Sequence, residues 1–162
     1  MEDERRKKAL GPGQRGFRKL LVWQKADELA SSVFQALLGH PVPPWLTAQA
    51  TRAAVSVPAN IAEGYARGSL RDYLRFLDIA RGSLAELEYY LHFMEDNRLL
   101  EPAACAHLGT LAVEVGNLLV ALIRSLRLKL QEGSWDRARV SEDPAAYDYL
   151  PPSTFLLPGE EP

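Results

Sequence analysis

Apolar residues recur every three or four positions along most of the chain, and clusters of glycine and proline cut that pattern into four stretches. Between Phe17 and about Leu38, Val22, Ala26, Leu29, Val33 and Leu37 share one helical face, which predicts a first helix. Gly39-His40-Pro41-Val42-Pro43-Pro44 ends it, because each proline lacks an amide donor and restricts the residue before it. A second helix is expected from about Leu46 to Ala66, with Ala50, Ala53, Val57, Ile61 and Gly64 forming a face of unusually small residues. Pro58 falls inside it, and the missing backbone bond predicts a bend between Ala54 and Pro58 rather than a break.

Gly68 stops this helix, and Ser69 followed by Asp72 has the form of a capping box that opens a third helix reaching about Asn97. Leu70, Leu77, Leu84 and Leu91 lie a heptad apart, and Tyr73, Ala80, Leu87 and Met94 take the alternate core position. This coiled-coil-like seam is the strongest periodic signal in the chain. Pro102 suits a first helical turn, and Leu108, Leu111, Val115, Leu118, Leu122 and Leu126 line a fourth helix that ends near Gln131, with Gly133 closing it. Four long helices with short connections predict an all-α fold, an antiparallel up-down-up-down four-helix bundle over residues 17–131. Residues 1–16 read as a flexible basic arm. Residues 132–162 read as a loosely ordered, acidic, proline-containing tail, whose Tyr147, Tyr149, Leu150, Phe155, Leu156 and Leu157 could dock elsewhere.

The third helix carries a second set of apolar residues, Phe76, Ile79, Tyr90 and Phe93, away from its leucine seam. A helix of a lone bundle needs one buried stripe of about 100°. A wider arc predicts burial by another copy of the chain, hence a homo-oligomer. Two alternatives stay open: the aromatics wrap the sides of their own helix, or the apolar part of the tail covers them.

Charge adds a second asymmetry. The net charge of -2 conceals a basic head, with Arg5, Arg6, Lys7 and Lys8, and an acidic tail. In an up-down-up-down bundle, the start of the first helix, the end of the second, the start of the third and the end of the fourth meet at one end. That end collects Arg15, Arg18 and Lys19, then Arg67, then Arg71 and Arg75, then Arg124, Arg127 and Lys129, while Glu95, Asp96 and Glu101 gather at the other. Arg67, Arg71 and Arg75 repel one another where they share a face, and Arg71 opposes the positive N-terminal dipole of its own helix. Such repulsion points to an anionic partner, RNA or DNA, held by shape and charge with little base readout. In a ring of copies the patch would repeat, so weak contacts would add. The alternative is that Asp72, Asp78 and the acidic tail neutralise this end and leave a solvated surface.

Catalytic chemistry finds little to work with. His40, His92 and His107 stand apart from one another and from any nucleophile or metal ligand at a useful spacing. No phosphate-cradling glycine loop, nucleophile elbow or metal-binding histidine pair occurs. Glu86, Glu88 and Glu114 could face one another in the bundle, but no histidine follows a glutamate by three residues as a di-iron site requires. The expectation is a protein that is not an enzyme and takes no cofactor. Cys105 cannot form an internal bridge and reads as a packed small side chain, a usage that suits a reducing cytoplasm. No apolar run approaches the roughly 18 to 20 residues needed to span a bilayer, and the charged N-terminus lacks a signal peptide, so a cytoplasmic protein with no membrane association is expected.

The segment Gln49-Ala50-Thr51-Arg52-Ala53-Ala54-Val55-Ser56-Val57-Pro58-Ala59-Asn60-Ile61-Ala62-Glu63-Gly64 closely resembles the signature of a bacterial four-helix-bundle family, first noticed in reading frames within intervening sequences of large-subunit ribosomal RNA genes. The resemblance extends to Leu21-Val22-Trp23-Gln24-Lys25-Ala26, to Tyr73-Leu74-Arg75-Phe76-Leu77 and to the stretch from Ile79 to Leu87, and it spans roughly Phe17 to Leu126. It implies assembly into a homopentameric ring. It also links the chain to the similar accessory proteins of diversity-generating retroelements, which bind a reverse transcriptase and nucleic acid. Two functional expectations follow: an oligomeric scaffold that binds RNA or a ribonucleoprotein through the basic rim, or a protein-interaction scaffold such as a reverse-transcriptase accessory. The chain differs from its likenesses in its proline-rich first connection and in lacking the strong positive charge of the retroelement accessories.

The signature residues also invite physical readings of their own. Ala53, Ala54 and Gly64 would let another helix approach closely, and Pro58 would free a carbonyl for Asn60 or an amide from elsewhere to satisfy. Arg52 and Glu63 lie about three turns apart, so each needs a partner on another helix or subunit, with Arg81 the expected partner of Glu63. A buried polar set of this kind would fix register more than add stability.

Overall fold

Leu20, extended at φ -68° and ψ 122°, separates a 3-10 turn at Phe17–Lys19 from the first long helix, so the expected first helix begins four residues late. The turn is held by Gln24, whose side-chain amide donates to the Arg18 carbonyl at 2.9 Å, and by the edge of Phe17 against Trp23 with centroids 5.1 Å apart. Four helices follow in the computed structural model, which describes residues 16–133: α1 (Leu21–Leu37), α2 (Pro44–Ala66), α3 (Leu70–Asp96) and α4 (Pro102–Glu132). The protein is all-helical, with no strand among the described residues. The basic arm before Gly16, with Arg15, and the tail beyond Gly133 lie outside them.

Local chemistry sets most boundaries. Pro44 and Pro102 occupy first turns, where a missing amide donor is harmless, and so α2 starts two residues earlier than its apolar pattern suggests. The Ser69 hydroxyl accepts from the Asp72 backbone N–H at 3.3 Å and caps α3 as expected. Gly133 closes α4 in the left-handed region at φ +66°. Pro58 is buried within an unbroken α2.

Each long helix packs against two others: α1 on α2 and α4, and α3 on α2 and α4. The whole seam of α3, from Leu70 through Met94, is buried between them. Along α2 and α3 the contacts run in opposite order. Trp45 meets Phe93 at 6.3 Å, Ser56 meets Ser83 at 2.9 Å and Tyr65 meets Tyr73 at 6.1 Å, so these two helices are antiparallel.

At Gly64 α2 comes close to α3. A Cβ there would stand 2.8 Å from the Phe76 Cβ, 2.9 Å from a Tyr73 ring carbon and 3.2 Å from the Tyr73 backbone oxygen. The glycine is thus a packing surface, as the small-residue face of α2 predicts.

This approach revises the reading of the second apolar face on α3. Phe76 is 7% exposed, and Tyr90 and Phe93 are half-buried against the core of the same chain. Only Ile79 of the four stands well exposed, at 43%. Phe76 is covered where α2, stripped of bulk at Gly64, comes close, and Phe93 lies against Trp45 at the other end of α2, with centroids 6.3 Å apart. A further revision concerns α4. It is long and apolar enough, by length and composition, to cross a membrane, a property hidden when only uninterrupted apolar runs are counted. Its residues Leu108, Leu111, Val115, Leu119, Leu122 and Leu126 are buried in the core.

Gly64→Ala tests the close approach, with Gly82→Ala as its control, since a Cβ at Gly82 meets nothing within 4 Å. Alanine is favoured over glycine in a helix by about 1 kcal/mol, so Gly82→Ala should raise stability by up to that amount. Overpacking costs about 1–3 kcal/mol, so Gly64→Ala should lower it by about 2 kcal/mol. Urea unfolding followed by circular dichroism measures both, and equal effects would contradict the packing described.

Candidate nucleic-acid interface

The turn before α1, the end of α2 and the start of α3 are joined by a chain of aromatic contacts. Gly16 lies against the Tyr65 ring, where a Cβ would come within 2.8 Å, and Tyr65 stands edge-on to Tyr73 at 84°. Around this junction the basic residues cluster. The Arg67 guanidinium sits over the Phe76 ring, 4.7 Å from its centroid, and that of Arg75 lies 5.1 Å from the same centroid. Arg18 stacks on Phe17 at 5.8 Å, while Lys19 and Arg71 stand exposed. A cation over an aromatic face is stabilised by about 0.5–1 kcal/mol at an exposed site, and its N–H edges stay available to an anion.

The end of α4 supplies the remaining cations. Arg127 Nη2 lies 3.6 Å from Asp78 Oδ2, and Arg81 Nη1 lies 3.5 Å from Asp78 Oδ1, so one carboxylate is shared by two arginines. Arg124 is exposed and Lys129 half-buried nearby. Glu63 pairs with Arg67, and Asp72 sits in the first turn of α3. Exposed pairs of this kind are worth about 0–1 kcal/mol each, so they do not hold the arginines away from another anion.

Several expected partnerships are replaced. Glu63 pairs with Arg67 one turn along its own helix, not with Arg81, because Arg81 lies on the flank of α3 that faces α4. Arg52 does find a partner on another helix, Glu86 at 3.6 Å, and it also donates to Gln49 at 2.9 Å on α2. The set is not buried: no polar or charged residue among the described ones is, and the Arg52 side chain is 71% exposed. The Asn60 amide donates to the Ser56 carbonyl at 2.8 Å and to the Ser56 hydroxyl at 3.0 Å, whereas the carbonyl that Pro58 frees is that of Ala54. Sequence reasoning missed the Ser56–Ser83 contact and the Tyr90 hydroxyl that donates to Glu86 at 3.0 Å. Counting outward from Gly64 opposite Tyr73 along antiparallel helices would have found the first, and the four-residue spacing of Glu86 and Tyr90 on one helix the second.

The three carboxylates considered for a metal go separate ways. Glu86 faces α2, Glu114 pairs with Lys25 of α1 at 3.4 Å, and Glu88 lines a cavity of about 220 Å³ between α3 and α4, where burial pushes its carboxyl up. Among the described residues no group of His, Cys, Asp or Glu is placed to hold a metal ion. His92 Nε2, at the same far end, lies 3.4 Å from Asp96.

The family model for the 23S rRNA-intervening sequence protein matches residues 18–121. The chain belongs to this family. No curated protein matches it. Among solved structures, this 23S rRNA-intervening sequence family member is similar to a protein of unknown function from the S23 ribosomal protein family of Bacteroides thetaiotaomicron. The identity is 24% and the TM-score 0.60, with 64% of this chain and 98% of that chain covered. At that identity the likeness shows a shared fold. These matches name the rRNA intervening-sequence and S23 families, and the retroelement link stays a reading of sequence alone.

Cys105 also lines the far-end cavity, and burial pushes its thiol up, away from the reactive thiolate. Iodoacetamide at pH 8 should therefore modify it at least about tenfold more slowly in the native protein than in denaturant. Equal rates, read by mass spectrometry, would contradict a packed structural thiol.

Proposed function

We propose that this protein is a non-enzymatic scaffold whose basic end binds structured RNA, alone or within a ribonucleoprotein, through phosphate contacts. The observation that carries the reading is the pair of guanidiniums, Arg67 and Arg75, held over the one Phe76 ring. A guanidinium stacked on a ring is oriented before its partner arrives, so less rotamer entropy is lost on binding phosphate. Arg18, Lys19 and Arg71 extend the basic surface, and Arg124, Arg127 and Lys129 continue it across the end of α4. Membership of a family named for a 23S rRNA intervening sequence supports RNA as the anion.

The reading includes an up-down-up-down course for the four helices, supported by the antiparallel contacts of α2 with α3 and by short connections. It also includes self-association into a ring, five-membered by resemblance. Exposed apolar side chains support it, Trp45 at 58%, Val55 at 51%, Ile79 at 43% and Tyr89 at 59%, on the outer surfaces of α2 and α3. Such a ring would repeat the basic end on every copy and add weak contacts together.

Arg71→Glu combined with Arg75→Glu should weaken binding of a structured RNA hairpin by at least about tenfold at low salt, and the difference should shrink as salt is raised. Multi-angle light scattering should show the same oligomer for wild type and variant, since both positions are exposed. Arg98→Glu, in the turn between α3 and α4 at the opposite end, should change RNA affinity less than about twofold. Equal harm from Arg98→Glu, or no salt-dependent affinity in the wild type, overturns the RNA reading, and a monomeric mass overturns the ring.

A further inference from the structure

Between α3 and α4, beside the basic end, lies an open cleft of about 200 Å³ walled by Arg81, Arg124 and Arg127, with Gln131, Ile123 and Leu128 also in its lining. The three guanidiniums come from two helices. Arg124 and Arg127 are three residues apart on one face of α4, where like charges repel, and Arg81 adds a third cation from α3. Among the described residues the carboxylate paired with these arginines is Asp78, which serves Arg81 at 3.5 Å and Arg127 at 3.6 Å. Both distances exceed those of a strong charge-assisted bond. Among the described residues Arg124 has no ion-pair partner, so three cations share one anion.

We infer that this cleft seats one phosphate group, which Arg124 and Arg127 grip from α4 and Arg81 grips from α3. Several arginine N–H donors can converge there, and the fork of a guanidinium matches the paired oxygens of a phosphate. Gln131 adds an amide donor at the mouth. The apolar wall suits the carbon face of a sugar: Ile123 is buried and Leu128 is 52% exposed. Asp78 acts as a placeholder that a phosphate displaces, since a carboxylate carries one charge and makes long contacts. The group can come from an RNA backbone or from a free mononucleotide; the first source rests on the RNA reading proposed above.

The test titrates the full-length protein with inorganic phosphate at constant ionic strength, following the arginine Nε–Hε resonances, and repeats the titration with uridine 5′-monophosphate and with an RNA hairpin. Inorganic phosphate should give saturable shifts at three arginine side chains. Arg124→Gln, which removes one charged partner, should raise the phosphate dissociation constant about tenfold, whereas Arg98→Gln, in the turn at the opposite end, should change it less than about twofold. Asp78→Asn should tighten phosphate binding, because it removes the competing carboxylate. Shifts that never saturate, equal losses from Arg124→Gln and Arg98→Gln, or weaker binding by Asp78→Asn each overturn the cleft. If phosphate fails to bind while the hairpin binds, the cleft falls and the RNA reading stands. If phosphate or the mononucleotide binds with the stated pattern and the hairpin does not, the cleft stands with a free nucleotide as its source and the RNA reading falls.

Discussion

The contact at Gly64 governs how the helices of this molecule register on one another. With no side chain on that residue, the first side-chain carbon of Phe76 comes against α2 at a distance that a Cβ would forbid, and the Tyr73 backbone oxygen at one that a Cβ would crowd. Two antiparallel helices pinned at one point have their register fixed along their length, so Ser56 falls opposite Ser83 and Arg52 comes within reach of Glu86. The same pin places Phe76 beneath the end of α2, where Arg67 stacks on it. The basic cluster is therefore a product of helix packing as much as of local charge.

Much of this was legible along the chain. The heptad of Leu70, Leu77, Leu84 and Leu91 is a 3.5-residue signal over many turns, and all four leucines are buried. Ser69 and Gly133 announce helix ends through chemistry that acts within a few residues, and both act as expected. The small face of α2 likewise shows that something approaches, and Gly64 shows where. What a single chain pattern cannot specify is which flank of a helix meets which neighbour. Phe76 and Arg81 illustrate it: one lies on the flank of α3 toward α2 and the other toward α4, yet periodicity alone places both merely off the seam. The pairing of Glu63 with Arg67 in place of Arg81 has the same origin, because a partner one turn away on the same helix needs no register at all.

The candidate site divides in a similar way. The convergence of positive charge could be read from helix order, but its arrangement could not. Asp78, expected to help neutralise the whole end, is engaged by Arg81 and Arg127 alone. Glu63 is similarly committed to Arg67. Weak, exposed pairs orient arginines without cancelling their field at the range of an approaching polyanion. This is the physical sense in which a chain of net charge -2 can present a basic end, the feature on which the proposed function rests.

In the proposed function, packing of α2 on α3 builds the RNA-binding surface by seating Arg67 and Arg75 over Phe76. Phe76→Leu separates that role from charge, since it keeps an apolar side chain against Gly64 and removes only the aromatic face. The direct measurement is fluorescence anisotropy of a labelled RNA hairpin against wild type and Phe76→Leu at one low salt concentration, with helicity checked by circular dichroism. A helical variant that binds about fivefold more weakly is expected, the loss that two weakened cation–π contacts would cause. Unchanged affinity in a folded variant would contradict the role given to the Phe76 ring.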